Sequence, residues 1–184
     1  MPDPQMTPRL LLQDACVLIN LLASGRFEDI ARAGPYRFVI ASAVCGEALY
    51  IRDGTTGKPI LIDLEPHLVA GLIEIITVET DEERAAYITY AGQLDDGEAM
   101  SLALAESRHL ALATDDRKAR ALIKRESINV ELSSTASVLQ NWEKMAGIPN
   151  PEIKTVIEQI QKCARFVPSP ETPEGQWWNE RIQA

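Results

Sequence analysis

Histidine is nearly absent from this 184-residue chain: His67 and His109 are the only two. Cysteine is scarce as well. Cys16, Cys45 and Cys163 are odd in number and widely spaced, and they form no CxxC pair. These absences argue against a zinc site and against a disulfide framework, and they fit a reducing cytoplasm. No apolar run approaches the ~18 residues of a membrane span, and the opening MPDPQMTPRL lacks the layout of a signal peptide. The expectation is a soluble, cytoplasmic protein with no membrane partner. Basic charge is also in deficit, with 18 Lys and Arg against 27 Asp and Glu and a net charge of -9. Like charge repels phosphate, which disfavours broad nonspecific binding to nucleic acid. Two arrangements escape that objection: acids gathered around a divalent cation, or bases gathered on one face.

The length suits one domain with a proper core. Apolar patterning along the chain predicts strands and helices in alternation. Leu10–Leu12 reads as a strand that ends at Asp14. Helical spacing follows through Val17, Leu18, Leu21 and Leu22 and stops near Gly25. RFEDIARAG reads as a short helix, YRFVIAS as a strand, and SAVCGEALYIRDG as a helix ending before Gly54. TTGKPI reads as loop, and DLEPHLVAGL as a helix with Asp63 as its cap. EIITVE, rich in branched residues, is a strand. Thr80 with Glu83 three positions on marks a capping box and a helix. DDGEAMSLALAESRH is a further helix, LALAT a strand, DRKARALIKRES a helix, INVEL a short strand and STASVLQNWEKMAG a helix stopping at Gly147. Short, almost wholly apolar strands alternating with helices predict an α/β fold: a mostly parallel sheet of four or five strands between two helical layers. The texture changes after Pro149. We therefore divide the chain into a domain over residues 1–148 and an extension over 149–184. The extension comprises a helix with apolar positions at Ile153, Val156, Ile157 and Ile160, then a Pro-rich linker and a loose tail, QWWNERIQA. The alternative is that this helix, or Trp177 and Trp178, docks on a partner subunit.

Acids collect where strands end. In open parallel sheets, ligands bind beyond the carboxyl ends of the strands. The first strand ends at Asp14 and the fourth at Asp115 and Asp116. Each of these precedes a helix, so each is also a candidate N-cap, as Asp96 is for the helix containing Glu98. Two features point past capping. TDD and LDDGE supply more acids than caps require. Glu47 falls inside an expected helix, near Val44 and Ile51, with no Lys or Arg between Ala41 and Ile51 to pair it. Carboxylates from four distant segments make a hard, oxygen-rich site suited to Mg2+ or Mn2+. Such sites serve phosphoryl-oxygen chemistry.

These motifs together resemble the PIN domain, the ribonuclease fold of VapC-like toxins, over roughly Leu10 to Ala146. LLLQDACVLINLL matches the opening strand, aspartate and apolar helix. Glu47 in ASAVCGEALY, Glu98 in DGEAMSLALA and the acids of LATDDRKAR match the second, third and fourth acids of that family. The resemblance implies a PIN-like three-layer α/β/α sandwich and a metal-dependent ribonuclease. It implies Asp14, Glu47, Glu98, Asp115 and Asp116 as the catalytic set, with Asp14, Glu47, Glu98 and Asp116 holding Mg2+ or Mn2+. Asp115 is then the capping or assisting acid, and Asp95 and Asp96 are rivals to Glu98. RNA is the implied substrate, an antitoxin protein the implied partner, and a homodimer the implied assembly. Two positions depart from the family pattern: Cys16 stands where Asn, Ser or Thr is usual, and Glu98 where many members have Asp.

The helix after TDD carries Arg117, Lys118, Arg120, Lys124 and Arg125. Arg117 and Arg120 share a face beside the acids and are the expected RNA-phosphate contacts. Lys124 shares that face, but for Lys124 and Arg125 the dipole of the helix end is the favoured account. Two rival readings come from other classes. One is a catalytically silent module of the same fold that binds RNA or a partner protein. The other is a receiver-like phosphotransfer domain, which needs a lysine at the end of a late strand; INVEL is followed instead by SSTAS.

Overall fold

Leu11 and Leu12, both wholly buried, run through the middle of a five-stranded parallel sheet. The computed structural model describes residues 9–47 and 49–184. Its first strand, β1 (Arg9–Gln13), pairs on one side with β2 (Tyr36–Ala41) and on the other with β6 (Ala111–Ala113). The outer positions belong to β5 (Ile73–Ile76) beside β2 and to β7 (Leu132–Ser133) beside β6. The order is β5-β2-β1-β6-β7. The chain thus winds outward from β1 in one direction, returns, and winds outward in the other. Such a reversal opens a crevice at the carboxyl ends of the two central strands, here β1 and β6.

Helix α1 (Ala15–Ala23) packs with α2 (Phe27–Ala33), α7 (Thr135–Ala146) and α8 (Asn150–Cys163). Helix α5 (Asp96–Ser107) crosses β1, β2 and β6, and α4 (Asp81–Ala91) lies against it. The remaining helices are α3 (Glu65–Val69), α6 (Arg117–Arg125) and α9 (Pro173–Gln183). The result is the expected three-layer α/β/α sandwich. Small residues let α5 sit close to the sheet: Ala99, Ala103 and Ala105 are fully buried beside Leu102 and Leu104. The expected capping box of α4 is present. Thr80 Oγ1 accepts from Glu83 N at 3.2 Å, and the Glu83 carboxylate accepts from Thr80 N at 3.3 Å.

The main departures from the expectation are three, the first covering two neighbouring segments. The helix expected over SAVCGEALYIRDG does not form. Ser42–Gly46 makes a 3-10 turn, Glu47 closes it in extended conformation, and β3 (Tyr50–Arg52) follows. TTGKPI is not all loop either, because Pro59 and Ile60 open β4 (Pro59–Leu61), which pairs antiparallel with β3. The physical reason is the turn between them. Asp53 Oδ1 accepts from Thr55 N at 3.0 Å and Thr56 N at 2.6 Å, and Gly57 takes φ 69°, so the chain doubles back. Tyr50 and Ile51 are strand formers with partners across that turn. The second departure is INVEL, whose strand shifts to Leu132–Ser133, where β6 offers a partner.

The third is the tail. QWWNERIQA is not loose but lies within α9. Thr172 caps this helix by accepting from Gly175 N at 3.1 Å. Trp178 is wholly buried, edge-on to Phe166 at 5.6 Å between ring centroids. Glu143 of α7 accepts from Trp177 Nε1 at 2.9 Å and pairs with Arg181 at 2.7 Å. The alternative that Trp178 docks on a partner subunit is therefore overturned, since the chain itself buries the ring. Ile153, Val156, Ile157 and Ile160 of α8 join the same core, and Arg26 before α2 pairs with Glu152.

Candidate functional site

Asp14 leaves β1 and begins α1, and both neighbours fix it. Its backbone N–H continues the sheet ladder by donating to Ala113 O at 3.0 Å. Its Oδ1 caps α1, accepting from Ala15 N at 2.7 Å. Its Oδ2 accepts from Thr114 Oγ1 at 2.8 Å and from the Cys16 thiol at 3.2 Å. Capping and site membership are therefore one arrangement, because the carboxylate that caps α1 also stands in the crevice between β1 and β6. Burial pushes the Asp14 carboxyl above its ordinary value, against the three hydrogen bonds that hold it down, and Asp95 adds repulsion.

The two aspartates after β6 divide their work. Asp116 caps α6, with Oδ1 accepting from Lys118 N at 2.7 Å and Ala119 N at 2.8 Å. Its own N–H donates to Thr114 Oγ1 at 3.1 Å. Thr114 thus links Asp14 to Asp116. Of the two roles expected for Asp115, capping or assisting, the capping of α6 falls to Asp116, and the Asp115 carboxylate turns toward α7 and α1. It accepts from Thr135 Oγ1 at 2.5 Å, from Thr135 N at 3.2 Å and from Asn20 Nδ2 at 3.1 Å. Burial raises the Asp115 carboxyl, partly offset by these bonds. Cys16 Sγ accepts from Asp115 N at 3.3 Å, so this thiol steadies both the first acid and the fourth segment. Burial and the neighbouring aspartates drive the Cys16 thiol far above its ordinary value, which keeps it protonated and able to donate.

Glu98 sits in the first turn of α5. The cap of that helix is Asp95, not Asp96 as expected: Asp95 Oδ1 accepts from Glu98 N at 2.9 Å, and Glu98 Oε2 accepts from Asp95 N at 3.4 Å. Asp96 accepts instead from Tyr87 Oη at 3.1 Å. Partial burial, then the negative charges of Asp116, Asp95 and Asp14, lift Glu98 to about 7. Glu47 comes from the turn that follows β2. It is not inside a helix, yet its carboxylate leans on Gly97: a Cβ on Gly97 would stand 1.9 Å from Glu47 Oε1. Partial burial, then Asp95, Asp14 and Asp96, lift Glu47 to about 7 as well. Among the described residues neither glutamate nor Asp14 has a Lys or Arg ion pair. The negative charges of Asp95 and Asp14 act on both glutamates and raise both.

That electrostatic frustration tests the fit to a hard divalent ion, and the donor set suits one. No three or more His, Cys, Asp or Glu among the described residues are drawn tightly enough to hold an ion by themselves. Mg2+ keeps several waters and takes one or two carboxylates plus substrate phosphate, so a rim of acids is the arrangement it uses. Of the buried polar side chains without a partner among the described residues, two lie next to these acids in the hollow or in the sequence. One is the Ser101 hydroxyl, which lines a small hollow with Asp14, Glu98 and Thr114. The other is the amide of Gln13, which directly precedes Asp14.

The expected RNA contacts differ from each other. Arg117 is exposed and without an ion pair or side-chain hydrogen bond among the described residues. Arg120 is engaged within the fold, donating to Thr114 O at 2.8 Å and Ser133 O at 2.6 Å, where it ties the ends of β6 and β7 together. Sequence reasoning missed Asn20, Thr135, Gly97 and Ser101. Asn20 did carry a signal, being the one polar side chain inside ACVLINLLA. The others depend on contacts between distant segments.

An open parallel α/β sheet with carboxylates gathered at the ends of its central strands defines a three-layer α/β protein with an acidic candidate site. A comparison with known families agrees: the DUF3368 family, a PIN domain, matches residues 10–173. The chain belongs to the PIN-domain family, whose members are generally nucleases. No curated protein matches it. Among the described residues no helix is long and apolar enough to cross a membrane.

Proposed function

We propose that this chain is a Mg2+- or Mn2+-dependent endoribonuclease that hydrolyses RNA phosphodiesters. The observation that carries the reading is the group of Asp14, Glu47 and Glu98: three carboxylates with raised pKa at the switch point of the sheet, unpaired by any Lys or Arg among the described residues. Asp14, Glu47, Glu98 and Asp116 would hold the ion, which when bound supplies the charge that polarises the phosphate and activates water. The chain's own residues prepare the place. Thr114 and Cys16 orient Asp14, Gly97 admits Glu47, and Asp95 fixes the backbone beneath Glu98. Asp115, held by Asn20 and Thr135, positions the loop that carries Asp116. Arg117 contacts a flanking phosphate, while Arg120 braces the strand ends.

Purified protein should cut single-stranded RNA with Mn2+, stop on addition of EDTA, and lose cleavage in Asp14→Asn. If EDTA and Asp14→Asn both leave the rate untouched, the mechanism is wrong. The family resemblance further supports a toxin of a toxin–antitoxin pair, a homodimer with an antitoxin protein as partner. Growth arrest on expression, relieved by a neighbouring gene product, is the outcome that checks it.

A second reading is a silent PIN module that binds RNA or a protein without cutting. Cys16 favours it, since a thiol is a weaker donor to the first acid than the usual hydroxyl. A melting temperature indifferent to millimolar Mn2+ separates this module from the nuclease.

A further inference from the structure

Next to the end of β6 lies a cleft of about 330 Å³. The segment after β6 and the start of α6 contribute Asp115 and Arg117 to its wall, and the segment running into α9 contributes Val167, Pro168, Ser169 and Glu174. We propose that this cleft is the subsite for one RNA nucleotide flanking the scissile phosphate, and that it prefers a base with an exocyclic amine to uracil. The inference rests on the ribonuclease reading and deepens it.

The wall is built rather than incidental. Thr172 Oγ1 donates to Ser169 O at 2.8 Å, and Thr172 N donates to the same oxygen at 3.2 Å. Gly175 lies so close to that turn that a Cβ on it would stand 1.9 Å from Ser169 O. Phe166 is anchored edge-on to the buried Trp178. The floor is equally fixed, since Asn20 and Thr135 hold Asp115 and the two strand carbonyls hold Arg120. A preorganised cleft at the small end of the ~300–1,000 Å³ range of ligand sites suits one nucleotide.

Its chemistry is two-ended. The free guanidinium of Arg117 offers a phosphate contact. Glu174 has no hydrogen-bond or ion-pair partner among the described residues and offers an acceptor, which suits an amino group such as cytosine N4. Val167 and Pro168 between them offer apolar surface to a base. Position supplies the link to the reaction. The small hollow of Asp14, Glu98 and Ser101 uses Thr114 and Ala119, whereas the cleft uses Asp115, Arg117 and Arg120. A strand laid across the end of β6 with one phosphate at the acids therefore places its neighbouring nucleotide in the cleft.

The test uses the full chain with substitutions in the segment running into α9. Titrating the four nucleoside 5'-monophosphates into protein in EDTA, followed by NMR, should show CMP, AMP or GMP binding more tightly than UMP. Val167→Trp, at an exposed position that keeps the fold, should abolish that binding, and Glu174→Gln should remove the discrimination against UMP. In cleavage of RNAs differing only beside the cut, Glu174→Gln should shift the base preference by about tenfold while Val167→Trp lowers the rate on all. Nucleotide binding that persists unchanged in Val167→Trp overturns the subsite. So does RNA cleavage whose rate and base preference are the same in both variants as in the native chain, and that result leaves the nuclease standing. Binding lost in Val167→Trp, with no metal-dependent cleavage by the native chain, keeps the nucleotide cleft and removes the nuclease reading.

Discussion

Glu47 Oε1 occupies the space in which a side chain on Gly97 would have to begin, 1.9 Å from the position of a Cβ. The second acid of the site therefore depends on a missing side chain in the helix that carries the third. Gly97→Ala should separate activity from stability. Alanine suits the helix better than glycine by roughly 1 kcal/mol, so the melting temperature should hold or rise. Glu47 must swing away, and Mn2+ affinity should fall by about tenfold or more, with cleavage falling alongside. Calorimetry and thermal melts on the same preparation check both halves.

Thr114 joins Asp14 to the backbone of Asp116. Thr114→Val keeps the shape and removes the hydroxyl, leaving the buried Asp14 Oδ2 without its best donor and Asp116 N without its acceptor. The stability cost should be about 1–3 kcal/mol, with metal affinity lower by about 10–100-fold. Cys16→Ser should show no such loss, because a hydroxyl is the better donor to the same oxygen. Mn2+ titration of the two variants side by side distinguishes a linking role for Thr114 from simple packing.

Acidity and stability are coupled at the glutamates. Glu47 and Glu98 rise to about 7 in the folded chain, from an ordinary value of 4.5. Between those values the folded chain binds more protons than the unfolded one, so stability declines as pH rises through this window. In EDTA the melting temperature should drop between about pH 5 and pH 8, and Mn2+ should restore it at the upper end. The double variant Glu47→Gln, Glu98→Gln should flatten the decline. An identical slope in native and double-variant protein rejects this account.

Glu83 shows the opposite sign. Buried at the start of α4, it receives Arg108 Nε at 2.6 Å and Nη2 at 3.0 Å, and it also accepts from Glu79 N at 2.8 Å. Arg108 holds its carboxyl down to about 2, so this contribution is present above the ordinary carboxyl range and lost as pH falls toward 2. Arg108→Met leaves the Glu83 carboxylate with only its backbone donors and should cost about 1–3 kcal/mol. Adding Glu83→Gln should recover part of that loss in denaturant melts.

The features legible in the sequence were those whose causes are local. Apolar spacing in ACVLINLLA, the Thr80–Glu83 box and Gly147 at the end of α7 each declare themselves within a few residues, and the structure has them in place. Alternation of buried strands with helices gave the sheet. What escaped was decided across the fold. Tyr50–Arg52 continues an apolar spacing that a helix would tolerate, but its partners in β4 and the Asp53 turn draw it into a hairpin. Asp115 and Asp116 are adjacent and alike in sequence. Only Thr135 and Asn20 on one side, and the α6 backbone on the other, tell them apart. Trp178 reads as part of a loose tail because Phe166, which packs edge-on to it, precedes it by a Pro-rich stretch with no periodicity of its own.

Strand order also governs when this protein acquires its chemistry during its manufacture. Asp14 emerges from the ribosome early, but the edge of β1 that meets β6 stays bare until Ala111–Ala113 follows, and Thr114, its hydroxyl partner, comes directly after. An unfinished chain carries the first acid in open water, unlinked to the fourth. Completion of the sheet's centre is therefore the event that brings the acids of the candidate site together.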